Sequence, residues 1–447
     1  MSETPTHFLS IAELGARYRQ RSLSPVAVTR QALDRIAALD PSLNSFITVL
    51  EAESLAQAAV AERELADGRD RGPLHGVPVA IKDLIDVAGV PTSFASRAGS
   101  PKLPTTDAAL VRRLKEAGAV ILGKTNLLEY AYGMVHPDFG QTNNPWNPQR
   151  TSGGSSGGSV AAVAAGLCFA AVGTDTGGSI RIPAAYCGIA GLKPTYGLVE
   201  VEGVQPLSWS LDHAGPVARS CADAACLLAA MTGKPYRADP LPLRGLRVGV
   251  MQHPGADRFM EPGVSALVAQ ALGQLRAAGA EVSTVAVPNL EAASAALLAI
   301  LSPEASVIHQ RLVGAEPEGF GEGTRLMIEA GFAVPATSYV RAQQLRRELV
   351  ESFRGLFAQV DALVSPAVPW AALAADPAIG DEAGEGEMLF SGVYNLVGLP
   401  ALSIPCGLTP EGLPAGLQIA GPWEADARVL GIGAAVEGLM PRLVPPL

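Results

Sequence analysis

A chain of 447 residues with 33 basic and 43 acidic side chains carries a formal charge of −10, so it lacks the positive footprint that nucleic acids or anionic membrane surfaces select. Its hydrophobic content of 48 %, with only 17 % charged residues, excludes a disordered chain. Glycine (48) and proline (35) are too abundant for a helical bundle and suit a loop-rich α/β fold.

The amino terminus, MSETPTHFLSIAELGARYRQ, has neither the basic start nor the continuous apolar centre of a signal peptide. No run of about 18 uninterrupted apolar residues occurs, so a cytoplasmic chain that does not span a membrane is expected. From Ser24, SPVAVTRQALDRIAALD repeats apolar residues at helical spacing, with Ser24 as N-cap and Pro25 at the first helical position. EAESLAQAAVAERELADG continues as a second helix, so residues 1 to about 70 read as a helical wrap.

From about Leu74 to Pro216 the character changes. VPVAIKDLIDVAG, AVILGKTN and LCFAAVGTDTGG are short apolar runs that end in turn chemistry, spaced by helix-like segments such as AALVRRLKEAG. Farther on, GLRVGVM, AEVSTVAV and DALVSPAV read as strands between two long helical segments, and the tail adds PALSIPCG, GLQIAGP and a last helix. This alternation predicts an α/β fold with a central mixed, partly parallel sheet covered by helices on both faces. No internal repeat or clear interdomain linker interrupts it, so residues 1–447 are read as one large domain. The acidic, glycine-rich stretch 374–388 reads either as a mobile loop over a pocket or as a solvated surface loop.

The cysteines, Cys168, Cys187, Cys221, Cys226 and Cys406, are odd in number and show no CxxC spacing, so they read as buried thiols in a reducing compartment. The six histidines are scattered singly. Without ligand spacing, neither a metal nor another cofactor is expected. Small molecules or protein remain as partners.

Two short motifs mislead. Gly118 to Thr125, GAVILGKT, matches the phosphate-loop pattern GxxxxGK[ST], but its middle residues Ala119 to Leu122 are themselves the best strand in the neighbourhood. Gly153 to Gly157, GGSSG, matches the GxSxG elbow of α/β-hydrolase esterases. That elbow follows a buried strand, whereas NNPWNPQRTS precedes it here. The Gly/Ser run from Gly153 to Ser159 also has the composition of a flexible spacer, yet it leads directly into the apolar SVAAVAAGLCFAAV.

A better nucleophile is Ser179, where an apolar run ends in Asp175-Thr176-Gly177-Gly178-Ser179. Paired glycines let successive backbone N–H groups converge on one point, as an oxyanion requires. Taken alone, an ordinary strand-to-helix turn with a capping serine fits these residues better. A nucleophilic serine needs a base, and Lys82 is the odd residue in its apolar run, where desolvation would favour a neutral amine. An edge-strand lysine whose stem reaches out to solvent fits that position nearly as well.

Together, GPLHGVPVAIKDLIDVAGV, GKTNLLEYAYG, GQTNNPWNPQRTSGGSSGGSVAAVAAG and VGTDTGGSIRIPAAYCGIAGLKPTYG resemble the amidase signature family, in the same order and at comparable spacing. The resemblance is dense over about 74–216 and returns in NLVGLPALSIPCG and GLQIAGP. It implies a Ser-Ser-Lys triad in which Ser179 is acylated, Ser155 bridges after a cis peptide bond, and Lys82 is the base. Thr176, Gly177, Gly178 and the Ser179 N–H would form the oxyanion hole. Asp175 and Arg181 would brace the loop, with a surface ion pair as the alternative for both.

The activity implied is hydrolysis of carboxamide C–N bonds in a small-molecule amide, with about 235–390 as a variable region that shapes the pocket. Within the family, the glutamine-hydrolysing component of the tRNA-dependent glutamine amidotransferase is the alternative. That branch usually has Gln where this chain has Ile182, and smaller residues where it has Trp209, so a stand-alone amidase is expected. Dimerisation is common in the family and leaves a homodimer open.

Overall fold

The computed structural model describes residues 4–447. Its strands, in chain order, are β1 (Phe46–Val49), β2 (Pro78–Lys82), β3 (Val120–Thr125), β4 (Asn143–Asn144), β5 (Asn147–Thr151), β6 (Ala170–Asp175) and β7 (Ala190–Lys193). There follow β8 (His213–Ala218), β9 (Arg247–Gln252), β10 (Glu281–Ala286), β11 (Ala362–Pro366), β12 (Ala401–Leu408) and β13 (Pro414–Ala420). Among the described residues, eleven of them form one sheet in the order β1-β3-β2-β6-β8-β7-β12-β13-β11-β9-β10, while β4 and β5 pair separately.

The sheet is mixed, as the alternation of runs predicted. β3, β2 and β6 run parallel, as do β10, β9 and β11, and antiparallel strands join the two groups. Side-chain alternation supplies a core on each face. Val79, Ile81, Ile121 and Val172 belong to one hydrophobic cluster, and Ala80, Leu122, Ala171 and Val217 to the other. The small residues of the second set let the helix Gly157–Ala164 lie close on the sheet, where the Ser159 hydroxyl donates to the Val172 carbonyl at 3.0 Å.

The first helices form where capping chemistry sets them. Ser24 accepts from the Ala27 N–H at 3.1 Å, Pro25 opens the helix, and Asn44 closes it in the left-handed region with φ of 54°. The reading of 1–70 as helical is incomplete. Phe46–Val49 forms β1, an edge strand antiparallel to β3, because its short β-branched run pairs with a strand far away in sequence.

The acidic stretch 374–388 is a correction. Residues 374–381 do form a partly exposed loop, of which Asp376, Pro377 and Ile379 line a cavity, but the second half is the helix Glu382–Met388 with Gly384, Gly386, Glu387 and Met388 buried, so the loop reading fails there. Gly386 is there because a Cβ would collide with Phe259 and Trp370. Cys226 is also only half-buried, unlike the other four free thiols.

One segment, Leu290–Ala315, has the length and mean hydropathy (1.4) of a membrane span, with half of it buried. It carries buried Glu304, which accepts from the hydroxyls of Ser208, Ser210 and Tyr339. It packs against the helices Glu322–Gly331 and Ala336–Phe357. These are the contacts of a core helix.

Candidate active site

Lys82 ends β2, between β3 and β6, and is fully buried, which excludes the edge-strand reading. The parallel register that sets Ile81 beside Val172 brings Lys82 to Thr174 at the carboxyl ends of β2 and β6, where open α/β sheets place their ligand sites. Its Nζ lies 2.8 Å from Ser155 Oγ, 2.9 Å from Ser156 Oγ and 2.9 Å from Thr174 Oγ1. Among the described residues no carboxylate touches it, so burial pushes its pKa from the ordinary 10.5 to about 7, against the upward pull of Asp175 and Asp212.

The Gly/Ser ribbon is buried from end to end, and the helix Gly157–Ala164 begins within it. A spacer would be solvated. The Gly154–Ser155 peptide is cis. The Ser156 N–H donates to the Ser179 carbonyl at 3.1 Å, tying the ribbon to the loop that carries Ser179. Ser156 gives its own proton to the Thr174 carbonyl, which leaves its oxygen as an acceptor for Lys82.

The Asp175–Ser179 loop leaves the end of β6 and enters the helix Arg181–Cys187. Asp175 and Arg181 are both buried, so the surface ion pair is corrected to an internal one, 2.9 Å between Oδ1 and Nη2. All five N–H donors of Arg181 find acceptors, on Asp175, Ser391, Asn395 and Gln418. Burial alone would raise the Asp175 carboxyl, but Arg181 at contact holds it well below the ordinary range, with Lys193 and Asn395 adding to the effect.

The Ser391 hydroxyl donates to the Gly177 carbonyl at 2.6 Å. Because a trans peptide directs its C=O and N–H oppositely, this bond fixes the Gly178 N–H away from Ser391. Gly178 has φ of +143°, open to glycine alone, and a Cβ there would strike Ser391 and Ile182.

Ser155, Thr176, Gly177, Gly178 and half-buried Ser179 line one cavity, with Lys82 behind Ser155. A second chamber adjoins it, sharing Ala131, Thr176 and Leu207 and continuing along Val201, Val204 and Trp209. Asp212, on that side, accepts from Thr176 at 2.7 Å, and burial raises its pKa to about 6. No histidine lines the serine cavity among the described residues.

Neither decoy has its required geometry. Val120 to Thr125 is the buried strand β3, and Lys124 is held by Asp83 at 2.8 Å instead of facing a phosphate. The ribbon follows β5, a half-exposed strand of the small hairpin, and not a strand of the main sheet.

The sequence profile of the family described as Amidase matches residues 27–430. The chain belongs to the amidase signature family. It is an enzyme that cleaves amide C–N bonds. The chain is 38 % identical over 475 residues to a glutamyl-tRNA(Gln) amidotransferase subunit of Thermosynechococcus vestitus, covering 96 % of this chain and 98 % of that one. It is also 38 % identical over 455 residues to an amidase of Pseudomonas putida, covering 96 % and 95 %. The native peptide amidase of Stenotrophomonas maltophilia superposes with a TM-score of 0.86 at 37 % identity, covering 99 % of each chain.

Sequence reasoning missed Ser156, Thr174, Ser391, Asn395, Gln418, Asp376 and Glu387. Asn395 and Gln418 stand in the two late motifs, NLVGLPALSIPCG and GLQIAGP, whose return was the available signal. Asp376 and Glu387 were hidden by the loop-like composition of 374–388.

Proposed function

We propose that the chain is a stand-alone serine amidase in which Lys82, Ser155 and Ser179 form a proton relay. The observation that carries the reading is a buried, carboxylate-free lysine 2.8 Å from a serine that shares a cavity with a second serine. Neutral Lys82 takes the Ser155 proton as Ser155 takes that of Ser179, and Ser179 Oγ adds to the amide carbonyl. The oxyanion is received by the Thr176–Ser179 backbone, Ser179 N–H included. The proton then returns through Ser155 to the leaving nitrogen, the C–N bond breaks, and water releases the acid by the same route.

Asp175 and Arg181 brace this loop from below, and the region 235–390 contributes Leu301 and the 376–388 wall to the pocket. Cavity-lining Ile182 and half-exposed Trp209 of the adjoining chamber support a stand-alone enzyme that takes a small-molecule amide in the cytoplasm without nucleic acid, with a homodimer left open. The amidotransferase component of Thermosynechococcus vestitus keeps the second reading in play, because its similarity equals that of the Pseudomonas putida amidase. The purified chain alone decides between them. Acid release from primary, aryl or short aliphatic amides, without ATP, metal or partner, supports the proposal; turnover only with partner proteins refutes it.

A further inference from the structure

The cavity that holds Ser155 and Ser179 has a wall the relay does not use. Asp376, Pro377, Ile379, Gly384, Glu387 and Met388 line it, so two carboxyls face the substrate space. Among the described residues, no lysine, arginine or histidine lines that cavity, and the side chains of Leu128, Ala131, Ile182, Leu207 and Leu301 around it are apolar.

The carboxyls are held firmly but incompletely satisfied. Thr151 donates to Asp376 Oδ2 at 2.8 Å, and Tyr186, itself receiving the Trp370 N–H at 2.8 Å, donates to Glu387 Oε1 at 2.6 Å. Asp376 is half-buried as a residue, yet its Oδ1 is sealed from solvent and has no hydrogen-bond partner among the described residues. A buried acceptor in that state disfavours the ionised carboxylate. Burial raises Asp376 to about 6 and, together with the charge of Asp376, raises Glu387 to about 8. Among the described residues, Tyr186 and Cys187 are the neighbouring titratable groups whose ionisation these carboxyls disfavour. By itself the pair therefore retains a proton near neutrality.

We propose that Asp376 and Glu387 form a recognition site for a protonated primary amine carried by the amide substrate. This rests on the amidase reading above and names its substrate class. An ammonium's charge meets the two carboxyls that line an otherwise apolar enclosure without a competing cation, and its N–H groups donate to them. The adjoining chamber, walled by Val201, Val204, Pro206 and Trp209, suits the uncharged end, because Asp212, which also lines it, already accepts from the Thr176 hydroxyl and the Leu207 and Ser208 N–H groups. The substrate is thus a small amide, cationic at one end and apolar at the other.

The test compares isosteric pairs by calorimetric titration of the Ser179→Ala protein, which binds without turnover. γ-Aminobutanamide is set against pentanamide for a charge on the acyl side, and N-(aminoethyl)acetamide against N-propylacetamide for a charge on the amine side. The ammonium member of at least one pair should bind about tenfold or more tightly than its neutral partner, and Asp376→Asn or Glu387→Gln should remove that preference. Melting temperature and the affinity for the neutral member report whether each variant keeps its cavity, with Asp376→Ser as a second way to remove the charge. Equal affinities within both pairs in the parent protein overturn the proposal whatever the variants do. A preference that persists in all the folded variants overturns it too. Hydrolysis of pentanamide by the wild-type chain tests the amidase reading separately, so the two failures are distinguishable.

Discussion

The Nζ of Lys82 lies 2.8 Å from the Oγ of Ser155, with both side chains sealed from solvent. A charged lysine there can only donate, so the proposed relay requires the neutral amine. Burial places its pKa at about 7. Activity should rise with pH through about 7 and stay high into the alkaline range, with no limb that belongs to a histidine. Lys82→Ala should lose several orders of magnitude in kcat and lose the rise. Near-native turnover with an unchanged profile would overturn this role.

The same lysine makes a stability prediction. Its folded pKa is depressed, so between about 7 and its ordinary 10.5 the unfolded chain binds more protons, and stability rises with pH across that window. Below about 7 both states are charged and the burial cost is fully present, at most about 5 kcal/mol. Lys82→Met should therefore gain most over wild type near and below neutral pH, and the gain should shrink toward pH 10. Denaturant titrations of the two proteins at several pH values measure the difference; a gain independent of pH contradicts it.

The two serines should separate by covalent labelling. Ser179→Ala should abolish fluorophosphonate labelling and turnover, whereas Ser155→Ala should leave a slow enzyme that still labels, because only the relay is interrupted. A labelled peptide that contains Ser155 in place of Ser179 would reverse the assignment.

Ser391 tests the oxyanion loop from a distance. It holds the Gly177 carbonyl at 2.6 Å. Ser391→Ala should lower kcat about tenfold or more with little change in KM, because in the proposed mechanism the peptide it orients acts on the transition state. An increase in KM at constant kcat would instead make Ser391 a substrate-binding residue. Gly178→Ala should be more severe, since its φ of +143° disfavours a side chain.

Lys124 should matter for folding and not for nucleotide. Its ion pair with Asp83, 2.8 Å long, is fully buried. Lys124→Met removes one partner of that pair and should cost about 3–5 kcal/mol. ATP with magnesium should leave the melting temperature of the wild type unmoved; a saturable shift that depends on Lys124 would restore the phosphate-loop reading.

The sequence by itself determined the elements and their order, because helices and strands follow from periodicity and local punctuation. Ser24 and Pro25 start a helix wherever they stand before such a pattern, and Val120 to Thr125 is a strand despite its phosphate-loop spelling. It also determined the family, since the ordered motifs around Lys82, Ser155 and Ser179 are contiguous in the chain. Only the tertiary structure decided what meets what. That Lys82 touches three hydroxyls from two other segments, and that Arg181 gathers Ser391, Asn395 and Gln418, depends on contacts spanning 73 to 237 residues. Asp376 and Glu387 show the limit most plainly. Acidic residues among glycines look solvated in one dimension, and only packing against Tyr186 and the serine cavity removes their water and places them on its wall.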